Sequence, residues 1–164
     1  MNKVIKPYRG HSFIQPLVRR IVPEWTDYNA HLNVTWISYL FDLATDNMLD
    51  ALAIGESYAE RVCHSTFALE AHIRYLGEVK EGDDIEIHSY LIAVDNKRIH
   101  YFHEMIGLEN RRLLASLEQI SIHVDLSAGL SAEWPDDVRK RLDAAAEGAE
   151  GLSLCKAISL HRGG

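Results

Sequence analysis

The 164-residue chain has only two cysteines, Cys63 and Cys155. Two thiols without metal-ligand spacing make neither a disulfide framework nor a zinc site, so a reducing, cytoplasmic setting is expected. Long apolar runs are also missing. Charged or polar residues interrupt every hydrophobic stretch after a few positions, far short of a bilayer crossing. The segment Met1 to Gly10 carries Lys3, Lys6 and Arg9 but no apolar stretch follows, and no signal peptide is expected. Positive charge is in deficit, with 17 Lys and Arg against 24 Asp and Glu, a formal net charge of −7. A nucleic-acid partner normally leaves a basic stripe, and this acidic balance argues against one. A small anionic ligand stays possible, because a local cluster of Lys and Arg binds phosphate within an acidic protein. No G-x-G-x-x-G, Walker loop or G-x-S-x-G elbow occurs, so nucleotide-binding and serine-hydrolase readings lack their anchors.

What is present suits one folded domain over residues 1–164. Hydrophobic residues make up 47% and charged ones 25%, enough for a real core without a signature of disorder. Leu17 to Val22 reads as a first strand closed by Pro23. From about Asn33 to Leu52 the residues Ile37, Leu40, Phe41, Ala44, Met48 and Leu52 recur at helical steps, with Asn33 as N-cap and Gly55 as a stop. The period then changes to two. Phe67, Leu69, Ala71, Ile73 and Tyr75 alternate with polar or small residues, predicting a strand. Glu81-Gly82-Asp83 turns into a strand over 84–94, and Asp95-Asn96-Lys97 makes a hairpin into 99–108. Glu109 to Arg112 then turns into a strand over 113–124. Short turns imply antiparallel neighbours, so these four strands are predicted to form a meander. A short helix is expected over 135–146, and Ala144 to Gly151 reads as a flexible lead into the tail. One long helix against one antiparallel sheet is an α+β layer architecture. It leaves an edge strand open, and pairing with a second copy is the natural remedy.

The chemistry concentrates in one loop. Trp25-Thr26-Asp27-Tyr28-Asn29-Ala30-His31-Leu32-Asn33 packs a carboxylate, two aromatic rings, two Asn and a His into the entry of an apolar helix. The bland alternative is that Asp27 and Asn29 merely stabilise the turn and cap the helix. His100 and His103 invite a metal reading. On a strand, however, their odd separation points them to opposite faces, so no metal site is assigned.

Asp27-Tyr28-Asn29-Ala30-His31-Leu32-Asn33-Val34 followed by the helix from Trp36 resembles the signature of the 4-hydroxybenzoyl-CoA thioesterase-like hotdog family. Glu70-Ala71-His72-Ile73-Arg74-Tyr75 with Gly82-Asp83 resembles that family's next strand and its exit turn. The likeness covers about residues 17–126 and leaves 127–164 as a C-terminal extension. More narrowly, Trp25 to Asn33 together with Arg98 to Met105 is similar to the betainyl-CoA thioesterase branch, linked to carnitine breakdown. Ala30 stands where the broad motif has Gly, and Trp25 and Val34 replace polar residues, which suggests a different acyl pocket.

The resemblance implies a hotdog fold, an antiparallel sheet wrapped around one long central helix, and an acyl-CoA substrate. It implies Asp27 as the carboxylate that attacks the thioester carbonyl or activates water. Free N–H groups at the helix start would stabilise the oxyanion. Asn33 would orient water or thioester unless it only caps the helix, and His31 would bond Asp27 or simply close the loop. Trp25, Tyr28, Trp36 and Tyr39 suit a quaternary ammonium group, which aromatic faces bind, unless Trp36 and Tyr39 are ordinary helix-packing residues. Glu70 either faces solvent beside Arg74 or helps position water at a subunit interface. Arg98, with Arg111 and Arg112, is a candidate for coenzyme A phosphates. No cofactor or metal is required, and a homodimer or homotetramer is expected. The rival readings are a non-catalytic acyl-CoA-binding sensor of the same fold and a hotdog hydratase or dehydratase.

Overall fold

In the computed structural model the described residues are 14–147. Cys155, the Met1 to Gly10 segment and the tail beyond 147 lie outside them.

The first strand, β1, spans Leu17–Arg20, and a 3-10 turn over Pro23–Trp25 redirects the chain into the loop singled out above. The helical period then becomes α1, Val34–Ala51, which buries Ile37, Leu40, Phe41, Ala44, Thr45 and Met48 along one stripe. A second helix, α2 (Glu56–Val62), had no counterpart in the periodicity. At seven residues it buries only Tyr58 and shows no long apolar repeat. Four long strands follow: β2 His64–Tyr75, β3 Asp84–Val94, β4 Arg98–Gly107 and β5 Leu113–Asp125. The two-residue β6, Leu130–Ser131, pairs with the end of β5. Helix α3, Asp136–Ala146, closes the described chain. It takes up the first residues of the expected flexible lead.

The strand order is β1-β3-β4-β5-β2, antiparallel throughout. The hotdog arrangement is therefore present, but the four-strand meander is not. Only β3, β4 and β5 follow one another as neighbours. Strand β2 pairs with β5 across the sheet, Tyr75 opposite Ala115 and His64 opposite Asp125. The turn at Gly82 (φ +82°) does reverse the chain, yet the connection from Leu76 to Asp83 carries it past the sheet's end. There it pairs with the loop after β1: Leu32 N–H donates to the Val79 carbonyl (2.8 Å) and Gly82 N–H to that of Ile21 (2.9 Å). A short turn sets direction but does not by itself set neighbours.

Helix α1 lies on the sheet over Ile85, Ile87, Met105, Ala115 and Leu117. Beyond Met48 a second cluster, with Tyr58, Leu91, Ile99, Tyr101, Trp134, Val138 and Leu142, brings α2 and α3 onto the same side. The sheet is therefore covered by three helices rather than the single one expected. The long strand β2 is the outer edge, and Phe67, Leu69 and Tyr75 on it are all more than half exposed. Among the described residues no helix is long and apolar enough to cross a membrane.

Candidate active site

The loop between β1 and α1 is a small hairpin in its own right. Asn33 N–H donates to the Trp25 carbonyl (2.9 Å), Thr26 bridges Leu32, and Asp27 N–H donates to the His31 carbonyl (2.9 Å). The tip closes through Ala30 N–H to the Asp27 carbonyl (2.9 Å), with Ala30 in the left-handed region at φ +58°. That conformation explains the glycine of the broad motif, since a side chain there is strained. The hairpin is also strapped from outside, with His31 bridging Lys80. Its Nε2 lies 3.4 Å from a carboxylate oxygen of Glu78.

This frame fixes the candidate carboxylate. Asp27 sits two residues up the hairpin from Trp25, whose carbonyl holds Asn33 at the helix start. Two strand residues span about 7 Å, so the carboxylate and the first turn of α1 share one small region. Asp27 is half-buried. Its Oδ1 accepts from Asn29 N–H (2.8 Å), the turn-stabilising bond anticipated above. Oδ2 has no hydrogen-bond donor among the described residues. One oxygen therefore orients the group while the other is available to a water or a reacting carbon.

Asn33 caps the helix, its Oδ1 accepting from Thr35 N–H at 2.9 Å. Trp36 N–H turns back to the Asn33 carbonyl (3.0 Å). Among the described residues, Val34 N–H is left without an acceptor. It is the free donor at the positive end of the α1 dipole, where a backbone N–H can stabilise negative charge. Sequence reasoning placed the donors at the helix start but did not single out Val34. The cap is readable in the sequence, but which N–H groups Asn33 takes, Thr35 through its side chain and Trp36 and Ile37 through its carbonyl, shows only in the structure.

Three of the four expected aromatic residues come together. Trp25 stacks on Trp36 with centroids 5.6 Å apart, and Tyr39 meets Trp36 edge-on at 5.4 Å. Tyr28, at the hairpin tip, is 97% exposed and stands outside this group. Continuing the same stripe of α1 are the exposed Asp42, Asp46 and Asp50. Burial first, then the neighbouring Asp42, Asp50 and Glu56, push the Asp46 carboxyl upward. Like charges at four-residue spacing destabilise a helix, and no basic residue offsets them in its last turn.

Glu70 and Arg98 lie apart from this group within one chain. The β2–β5 register shifts between Ala68 and Glu70, a β-bulge that leaves Leu69 as the extra residue. Glu70, His72 and Arg74 pair opposite Ile120, Glu118 and Ser116, on the face turned away from α1. The bulge also corrects the expected alternation. Leu69 no longer shares a side with Ile73 but lines a surface cavity of about 610 Å³ with Ile122, Lys97 and Arg98. Arg98 is at the β3–β4 hairpin, about ten strand residues from the Asp27 loop. Its guanidinium holds Asp95 at 2.7 Å. His100 and His103 do face opposite sides of β4. His100 bonds Glu118 (2.9 Å), and His103 points beneath α1 to Thr45 (3.0 Å).

The thioesterase-like superfamily model matches residues 21–142. A betainyl-CoA thioesterase of Pseudomonas aeruginosa is 33% identical over 138 residues, 84% of this chain and 87% of that protein. An L-carnitine dehydrogenase/betainyl-CoA thioesterase of Rhizobium meliloti is 34% identical over 139 residues, 85% of this chain but 28% of that longer protein. A hypothetical protein of Staphylococcus aureus, solved in complex with CoA, superposes with a TM-score of 0.81 over 93% of this chain and 94% of that one. At 18% identity it speaks for the fold alone. With the hotdog sheet, the loop before α1 and most of the sequence in agreement, the chain belongs to the thioesterase-like superfamily.

Proposed function

We propose that this thioester hydrolase cleaves the acyl-CoA thioester of a small cationic acyl group, betainyl-CoA being the first candidate. The single observation that carries the reading is the pairing of Asp27 with the start of α1. One carboxylate oxygen is uncommitted, and Val34 N–H is unbonded at the helix's positive end. Asp27 acts as nucleophile or as general base toward the thioester carbonyl, and Val34 N–H takes the developing oxyanion. His31 and Asn33 hold this geometry, His31 by closing the hairpin against Glu78 and Lys80, Asn33 by capping the helix. Carboxylate and backbone dipole suffice for hydrolysis, and the reaction calls on no metal or redox group.

The cationic acyl group is supported by the stacked Trp25 and Trp36 with Tyr39 at their edge. Each aromatic face contributes about 0.5–2 kcal/mol to binding a quaternary ammonium. Asp42 and Asp46 follow on the same helix stripe, and a bound cation relieves their mutual repulsion. Tyr28, exposed at the hairpin tip, is available to close over the group. Coenzyme A's phosphates are assigned to Lys97 and Arg98, which line the surface cavity with Asp95, Glu133, Leu69 and Ile122, a phosphate there competing with Asp95 for the Arg98 guanidinium.

Because that cavity and Glu70 lie away from Asp27 in one chain, the complete site is read as shared between two copies. The open β2 edge, with Phe67, Leu69 and Tyr75 exposed, is the surface for that pairing, and a dimer or tetramer follows. Two cysteines in the whole chain agree with a reducing cytoplasm.

The test is thiol release from a panel of betainyl-, short-chain, aromatic and long-chain acyl-CoAs. Hydrolysis with a preference for betainyl-CoA is expected. Preference for a neutral aromatic or long chain removes the cationic-pocket reading. Tight binding with no thiol released leaves a sensor in place of an enzyme.

A further inference from the structure

Beneath the middle of α1 lies a polar chain that the proposed chemistry does not touch. His103 on β4 is fully buried. Its Nδ1 is 2.8 Å from Ser89 Oγ on β3, and its Nε2 is 3.0 Å from Thr45 Oγ1 on α1. Thr45 Oγ1 donates its one proton to the Phe41 carbonyl (3.0 Å). It therefore accepts from His103, which fixes the imidazole as the Nε2–H form, and Ser89 donates to Nδ1. The chain runs in one direction across three elements, from β3 through β4 into α1. Tyr101 flanks it, its ring centroid 5.3 Å from that of His103 and its hydroxyl 3.0 Å from Ser121 Oγ. The Phe41 ring stacks over His103 with centroids 6.1 Å apart, sealing the pair from water.

Elsewhere α1 rests on Ile37, Leu40, Ala44 and Met48. Those contacts are dispersive and non-directional, so they resist separation more than rolling or sliding. Among the described residues, Thr45 is the one α1 side chain that hydrogen-bonds the sheet. We infer that Thr45 and His103 are positioning residues for the hydrolysis: their hydrogen bond sets the rotation and register of α1, and through it the placement of Val34 N–H against Asp27. This rests on the reading of Asp27 and Val34 above. Thr45 lies eleven residues from Val34, about 17 Å along a rigid helix, so a roll at one end is delivered to the other. Misplacing a reacting group by about 1 Å costs on the order of 10²-fold in rate.

The experiment compares wild type, Thr45→Val and Thr45→Ser by thiol release from betainyl-CoA and acetyl-CoA, with kcat and KM measured separately. Circular dichroism and sedimentation verify folding. Thr45→Val keeps the shape but strands the imidazole N–H; kcat is expected to fall about tenfold or more with KM nearly unchanged. Thr45→Ser restores the acceptor and is expected to recover most of kcat. A folded Thr45→Val with wild-type kcat, or one in which kcat and KM change alike and Thr45→Ser gives no recovery, overturns the inference. Should Thr45→Val not fold, Ser89→Ala reads the same chain from its far end. Several-fold loss of kcat supports the inference, and wild-type kcat overturns it. Failure of wild type to release thiol from any panel thioester removes the proposed function, and the positioning role with it. Activity in wild type with an indifferent Thr45→Val removes the positioning role alone.

Discussion

Ala30 holds a left-handed backbone at φ +58° with a side chain that glycine would lack. The strain is of the order of 1 kcal/mol, and the hairpin bonds on either side hold it in place. Ala30→Gly is therefore expected to raise stability by no more than about 0.5 kcal/mol, the relieved strain being largely offset by the extra freedom given to the unfolded chain. Urea unfolding measures it; a loss of stability would show that the tip is unstrained. A larger effect belongs to His103. Burial drives its pKa from 6.5 down to about 3. The unfolded chain then takes up a proton that the folded state refuses. Stability is at its full value above the ordinary histidine value and falls as pH drops through 6.5 toward 3. By pH 5 the loss is about 2 kcal/mol. His123, lowered first by burial, adds to the same slope. In His103→Gln the difference between urea midpoints at pH 7.5 and pH 5 is expected to shrink. An unchanged difference would assign the acid sensitivity to other groups. At this scale the Asn33 cap and the turn bond to Asp27 were legible, because residue types in a short loop announce themselves. The Thr45–His103–Ser89 chain was not, since its members lie 14 to 58 positions apart.

The element best specified by its own sequence is α1. Its apolar stripe and Asn33 cap were both readable, and the cap bond to Thr35 N–H is present at 2.9 Å. Asn33→Ala is expected to cost about 1 kcal/mol of stability. Because the freed Thr35 N–H then competes for the same anion, kcat should also change. A thermal melt with wild-type midpoint would count against the cap. Strand β2 shows the opposite case. Its alternation predicted a strand, but one extra residue at Leu69 reverses the sides on either side of the bulge. Period counting has no way to see a bulge without the partner strand. For the same reason the neighbour of β2 was misread. Loop length told of a turn, while the pairing with β5 depends on contacts some fifty residues away. Helix α2 escaped because seven residues with one buried side chain carry too little pattern.

For the whole molecule, the fold follows from the chain, whereas the proposal that the site is completed by a second copy is tested by its mass in solution. Sedimentation should give about twice the 18.6 kDa of one chain, or a multiple of that. Phe67→Lys with Leu69→Lys, on the exposed edge, should reduce the mass to one chain and the activity with it. A monomeric wild type with full activity would confine the site to a single chain. The most direct measurement is thiol release from betainyl-CoA by wild type and by Asp27→Asn, side by side. Asparagine keeps the turn's acceptor oxygen but can neither attack nor take a proton. The variant is expected to fold normally and to lose about 10²–10⁴-fold in kcat/KM. A folded Asp27→Asn that hydrolyses at the wild-type rate would contradict the central role of this carboxylate.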